Sequence, residues 1–184
     1  MARLLDAGMQ VLAERGYQAA RVDDVVRVAR LSHGTFYLYF TNKEDLFRAI
    51  ATECAEEVKA LAATLGPIDD GPDGLVELER WLGEFLGIYA RYGAVIRAWM
   101  EDQVIDRELV GLGLDAFSTL HAVIDARLRD TRPEHLPDLD LAAKAMLAMI
   151  ERFAYFTMSR DLDDNSTSRD TLATMVHRGF FGAA

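Results

Sequence analysis

The chain has one cysteine, four prolines and no uninterrupted apolar run near the roughly 18 residues that a membrane helix needs. Cys54 alone makes no internal disulfide, which fits a reducing compartment, and its expected role is packing in a helix. Even the richest apolar stretch, Leu141 to Met158, is interrupted by Lys144 and Glu151, so no membrane partner is expected. The opening Met1-Ala2-Arg3-Leu4-Leu5-Asp6 shows no signal-peptide hydrophobic core before its first acid, and a cytoplasmic location is the expectation. The histidines at 33, 121, 135 and 177 form no E-x-x-H or H-x-x-x-H pair. Glycine-rich phosphate loops, G-x-S-x-G and cysteine clusters are missing too. No catalytic residue, metal or cofactor is therefore expected.

What is present is apolar and acidic. Hydrophobic residues make up 51% of 184, which excludes disorder and suits one or two compact units. The formal charge is −10, but it is unevenly spread. Residues 1–48 carry seven basic against six acidic side chains, a net +1, and residues 49–184 carry 13 against 24, a net −11. Binding depends on local fields, so the acidic total does not exclude a nucleic-acid partner for the first quarter.

Apolar spacing is helical nearly everywhere and nowhere alternates in strand fashion, predicting an all-α protein of about nine helices. A first helix with Leu4, Gly8, Val11 and Leu12 ends at Arg15-Gly16. Two short helices follow, about 22–29 and 33–39, separated by Arg30-Leu31-Ser32. A long helix runs from Lys43 to Leu65, roughly 34 Å at 1.5 Å per residue. The prolines fall in two gaps, Pro67 with Pro72 and Pro133 with Pro137. Between them we expect a helix from Leu75 to Tyr89, a short segment with Val95, Ile96, Trp99 and Met100, and a longer helix with Leu109 to Leu128. After the second gap come a helix over about 139–159, a polar loop at 161–166, and a last helix with Leu172 to Phe180. The expected division is a front domain at 1–47 and a rear domain at 48–184.

Helix, tight turn, short helix, with a third packed across both, is a helix-turn-helix, which places its second helix in a DNA major groove. Ser32 is set to cap that helix, with His33, Gly34 and Thr35 in its first turn. Phe36 and Phe40 share a face that can bury, which leaves the Tyr37 hydroxyl about 100° away and able to reach phosphate. Thr41-Asn42-Lys43-Glu44 reads as an S/T-x-x-E capping box starting the long helix. Lys43 beside that N-terminus is a candidate phosphate anchor, or simply a charge in the capping region.

Residues 2–47 resemble the DNA-binding domain of TetR-family transcriptional regulators. The likeness rests on Leu12-Ala13-Glu14-Arg15-Gly16-Tyr17, on Val22-Asp23-Asp24-Val25, and above all on the run from Leu31 to Leu46, LSHGTFYLYFTNKEDL. The resemblance implies a dimeric, ligand-responsive regulator with DNA contacts at His33, Gly34, Thr35, Tyr37, Tyr39 and Lys43. Arg21 and Ser32 are assigned to the same surface. Three positions depart from the family pattern. Ala20-Arg21 stands where a polar cap is usual, with Asp23 and Asp24 still favouring that helix start electrostatically. Arg30 replaces the usual turn glycine, requiring either a left-handed backbone or a different turn. The usual basic arm before the first helix is not seen, which suggests a trimmed chain.

The helix over 139–159 has almost no polar face and must be covered on all sides. One protomer covers about half, so Met146 and Ile150, with Leu172, Met175, Val176 and Phe180 of the last helix, are expected at a four-helix homodimer interface; an internal core helix is the alternative. For a hydrophobic small-molecule effector, Trp81, Phe85, Tyr89, Ile96, Trp99, Met100, Phe117, His121, Met149 and Phe153 are the candidate lining. The same residues would equally fill an ordinary core, and His121 would equally be a satisfied core histidine. The function expected is a repressor on a palindromic double-stranded operator. The alternative is a dimeric regulator without a small-molecule effector, either controlled by a protein or acting as an activator.

Overall fold

The computed structural model describes residues 1–100, 107–159 and 165–182. Most of those residues are helical, with no strand among them. The elements are α1 (Ala2–Ala19), α2 (Val22–Ala29), α3 (His33–Tyr37), α4 (Lys43–Thr64), α5 (Pro72–Met100), α6 (Arg107–Thr131), α7 (Leu139–Ser159) and α8 (Asn165–Val176). A π-helical turn, His177–Phe181, continues α8. The short segment expected after Tyr89 is no separate helix: α5 runs unbroken for 29 residues. No proline follows Pro72 before the helix ends, and a glycine at 93 inside good helix formers weakens a helix by only about 1 kcal/mol. Of the expected polar loop, residues 161–164 lie outside the described residues, as does the side chain of Met158.

Packing divides the chain into two compact units. One comprises Met1–Glu57 with Arg91–Ala116, the other Val58–Ala90 with Phe117–Ala184. The sequence motif ends near residue 47, whereas this grouping follows which helix segments touch, so α4, α5 and α6 each contribute to both units.

In the first unit Leu4, Val11, Leu12, Val25, Phe36, Phe40, Leu46 and Ile50 are buried. Tyr17 packs on Phe47 with ring centroids 5.4 Å apart. Gly16, at φ 73°, breaks α1 where the Arg15-Gly16 signal predicts a stop, and the chain resumes one short turn beyond it. Asp24 is buried but not alone, lying 3.3 Å from Arg15 Nη2 and 2.6 Å from Arg27 Nη2. The Arg3 guanidinium donates to the carbonyl of Ala29, closing the end of α2.

In the second unit Trp81, Phe85, Leu120, Ile124, Leu128, Met146, Ile150, Leu172 and Phe181 form the core. Its loops are tied by backbone capping. Arg127 donates twice to the carbonyl of Leu65, at 3.0 and 2.8 Å. Asp69 Oδ1 accepts from the N–H groups of Gly71 and Gly74, both at 2.9 Å, at the start of α5. A Cβ at Gly74 would stand 2.2 Å from the Asp69 carbonyl oxygen, so only glycine fits that approach. His177 Nε2–H donates to the same carbonyl at 2.9 Å and fastens the π-helical turn.

The expectation about membrane helices needs one correction. Among the described helices α6 is long and apolar enough to cross a membrane by length and composition. Counting uninterrupted runs missed it because Asp115 and Asp125 are spaced widely enough for the mean hydropathy to stay high. Leu120, Ile124 and Leu128 nevertheless form a stripe buried inside the second unit.

Candidate nucleic-acid interface and sensor residues

The front motif starts with a weakly capped helix. Arg21 stands at the N-cap of α2 in extended geometry with no side-chain cap bond, as its residue type predicts. At the other end Arg30 adopts φ 53°, ψ 48°, and the Leu31 N–H reaches the Val26 carbonyl at 3.0 Å. The turn is therefore the glycine-type left-handed stop, built with arginine. Arg30→Gly is expected to remove about 1 kcal/mol of left-handed strain. The melting temperature should rise by roughly 2–4 °C in a thermal unfolding scan; an unchanged or lower value would show that the arginine carries no strain.

Ser32 caps α3: its Oγ accepts the Thr35 N–H at 3.1 Å and lies 2.9 Å from Thr35 Oγ1. The helix closes at Tyr37, earlier than expected, and Leu38 and Tyr39 follow in a turn held by Tyr39 N–H to the Phe36 carbonyl. Phe36 and Phe40 are buried with ring centroids 5.8 Å apart. Tyr37 packs its edge on Phe36 and remains 58% exposed, next to Leu38 at 80% and Tyr39 at 52%. His33 and Gly34 are exposed and Thr35 is half-buried, so the structure brings the candidate reading residues onto one short, largely solvent-facing element.

Two expectations around α4 change. The Thr41/Glu44 capping box is displaced by one residue. Asn42 Oδ1 accepts the Asp45 N–H at 2.8 Å, and Asp45 Oδ2 accepts the Thr41 N–H at 2.9 Å. Asn42 is thus the cap, and Asp45 reaches back one residue beyond it to Thr41; α4 opens at Lys43, which puts Thr41 one position too early for the N-cap. Lys43 is not a free cation. Its Nζ donates to the carbonyls of Tyr17, Gln18 and Ala20 at 3.4, 3.3 and 3.1 Å and sits 5.6 Å from the Tyr17 ring centroid. It closes the C-terminal end of α1, the favourable place for a positive charge.

The sensor candidates separate between the units. Ile96, Trp99 and Met100 belong to the first, while Trp81, Phe85, Tyr89, Phe117, His121, Met149 and Phe153 belong to the second. Trp81, Phe85 and Tyr89 are fully buried along α5, Trp81 stacked on Phe85 at 6.1 Å. Trp81 Nε1–H donates to the Leu61 carbonyl at 3.0 Å, and the Tyr89 hydroxyl donates to Glu151 Oε1 at 3.1 Å. Glu151, 3% exposed, is a polar core residue that apolar periodicity passes over. Phe117, Met149, Phe153 and Trp99 are half-buried, Ile96 is buried, and Met100 is exposed. His121 Nε2 lies 3.1 Å from Asp140 Oδ1, so this histidine is satisfied within the unit. Beside Trp99 is a cavity of about 20 Å³ lined by Leu12, Tyr17, Phe47 and Val95 among others, room for about one water.

The dimer face needs correction. Met146, Ile150, Leu172 and Val176 are 0% exposed within a single chain and so present nothing to a partner. The half of α7 left uncovered carries Leu141, Ala145, Ala148 and Phe156 instead, and α8 exposes Met175, with Phe180 half-buried. Sequence periodicity showed that α7 is apolar all round but not which side its own unit covers.

A helix-turn-helix front on an all-α body defines the class of protein. Residues 4–50 match the family "Bacterial regulatory proteins, tetR family". Among curated proteins the chain resembles the "Fatty acid metabolism regulator protein" of Bacillus subtilis (strain 168), 39% identical over 28% of this chain and 26% of that one. It also resembles the "HTH-type transcriptional repressor AcnR" of Corynebacterium diphtheriae, 32% identical over 46% of each. The match thus spans about a quarter of the length of the first of these relatives and about half of the second. A TetR-like transcriptional regulator from Rhodococcus sp. RHA1 superposes with a TM-score of 0.72 at 25% identity, covering 97% of this chain and 93% of that one. FadR from Bacillus subtilis, solved in complex with stearoyl-CoA, shares the fold with a TM-score of 0.70 at 19% identity over 97% and 98% of the two chains. Residues 4–50 thus match the TetR-family DNA-binding domain, and the chain as a whole shares its fold with TetR-like transcriptional regulators.

Proposed function

We propose that the chain is a cytoplasmic repressor that binds a palindromic double-stranded operator as a homodimer and is released by a hydrophobic small molecule. The observation that carries the reading is α3 and the turn after it, where His33, Gly34, Thr35, Tyr37 and Tyr39 line a largely solvent-facing element over the buried Phe36 and Phe40. Tyr37 and Tyr39 offer hydroxyls to phosphates, and His33 and Thr35 meet base edges. Arg21 and Ser32 contact the backbone at the helix starts. Lys43 adds a positive charge beside the reading helix while clamping α1.

Two reading helices enter successive major grooves only when held about 34 Å apart, which calls for a second copy. The exposed face of α7, Leu141, Ala145, Ala148 and Phe156 with Lys144 and Arg152 among them, together with Met175, is the proposed mating surface. A fatty-acyl, sterol-like or aromatic effector suits the aromatic interior, and the stearoyl-CoA bound by the B. subtilis neighbour supports the acyl class. A ligand shifts DNA binding only if it favours the non-binding state.

The test is selection of duplexes from a random pool with the full-length protein, followed by affinity against salt and against added long-chain acyl compounds. A palindromic site with salt-dependent affinity, lost on adding the acyl compound, is expected; absence of any enriched sequence would overturn the reading. The close packing of Trp81, Phe85 and Tyr89 favours a second reading, a dimeric regulator without a small-molecule effector. Retained operator binding and an unshifted melting temperature with every apolar compound would select it. The double substitution Leu141→Glu and Phe156→Glu is expected to yield monomers by sedimentation and to weaken operator binding at least tenfold, because each half-site is then bound alone.

A further inference from the structure

Asp23 and His33 meet across the two helices of the motif. His33 opens α3, and its ring Nε2 lies 2.7 Å from Oδ1 of Asp23 in the first turn of α2. A carboxylate only accepts hydrogen bonds, so the proton of the neutral ring is on Nε2 and donates to Asp23, leaving Nδ1 as a lone-pair acceptor. Both side chains are largely exposed, 56% for His33 and 78% for Asp23, so the contact is not a packing requirement. The neighbouring Asp24 is spent differently, buried between Arg15 and Arg27. An exposed carboxylate next to a phosphate-binding surface opposes DNA binding electrostatically. Its compensating use is to orient the ring at the mouth of the reading helix.

We infer that Asp23 is a specificity-positioning residue: it holds His33 in the orientation and tautomer whose Nδ1 accepts a hydrogen bond from the exocyclic amino group of cytosine or adenine. This rests on the DNA-reading function proposed above. In the major groove cytosine N4 and adenine N6 are donors, whereas guanine O6 and N7 and thymine O4 are acceptors. A ring held in this tautomer, with Nδ1 as its remaining acceptor, therefore favours the amino bases. A ring freed from Asp23 rotates and takes either tautomer, and so pairs with donors and acceptors alike.

The experiment compares selected duplex pools, and competition affinities, for the full-length protein and for Asp23→Ala, Asp23→Asn, His33→Ala and the Asp23→Ala/His33→Ala double variant. The unsubstituted protein should show one operator position preferring cytosine or adenine by roughly five- to tenfold, a single-contact discrimination. His33→Ala should flatten that position alone. Asp23→Ala should flatten the same position to within about twofold, without lowering affinity for mixed-sequence DNA, and should add nothing in the His33→Ala background. Asp23→Asn, whose amide oxygen still accepts from Nε2–H, should keep most of the preference. The inference is overturned if Asp23→Ala leaves the preference intact, if it alters other positions equally, or if the position read by His33 favours guanine or thymine. Failure of the unsubstituted protein to select any sequence would instead overturn the DNA-reading function itself.

Discussion

Phe36→Ala is expected to destabilise the protein by about 3–5 kcal/mol and to abolish operator binding, while Tyr37→Phe, one residue along, leaves stability within about 0.5 kcal/mol. The contrast follows from burial. Phe36 is 0% exposed and packs on Phe40 and Tyr37, so its loss leaves a cavity under a five-residue helix with few other anchors. Tyr37 is 58% exposed. Removing its phenol oxygen should weaken binding to every DNA sequence by a similar factor, roughly three- to tenfold, because a phosphate contact carries no base preference. Denaturant unfolding with operator and mixed-sequence affinities checks both variants. A Phe36→Ala protein of unchanged stability would contradict the packing, and a sequence-dependent loss in Tyr37→Phe would place that hydroxyl on a base instead.

The second large effect lies inside the second unit. Tyr89→Phe is expected to cost about 2 kcal/mol although it removes a single oxygen, because it leaves the Glu151 carboxylate buried without the hydroxyl that donates to it at 3.1 Å. Arg152 does not replace that donor, since its Nε stays 3.8 Å from Glu151 Oε2. Replacing both residues, as Tyr89→Phe with Glu151→Met, should be less destabilising than Tyr89→Phe alone, because an apolar pair leaves no charge to satisfy. Thermal or denaturant unfolding of the two single variants and the double variant closes the cycle. Additive losses would mean that the two side chains do not depend on each other.

Much of the front motif was legible because its determinants are local. Ser32 before a short helix, the Arg15-Gly16 stop and the i, i+4 pair Phe36 and Phe40 act within one or two turns, and each appears where its spacing places it. The capping of α4 was misread by one residue because Thr41 and Asn42 are both good caps; the choice depends on which carboxylate, Glu44 or Asp45, turns back towards the loop. The engagement of Lys43 with the end of α1 and of His33 with Asp23 spans 23 to 26 and 10 residues respectively, and no local pattern reports such pairs.

The amino-acid sequence by itself determined that the chain is helical, where its proline gaps fall and where the short second helix of the front motif starts, since propensity, capping and amphipathic period are properties of neighbours in the chain. The tertiary structure alone decided which half of α7 is covered. Met146 and Ile150 point into their own unit and Leu141 and Phe156 point out of it, a distinction that periodicity cannot make for a helix apolar on every side. It also decided that Tyr89 of α5 donates to the buried Glu151 of α7, because that contact joins helices distant in sequence.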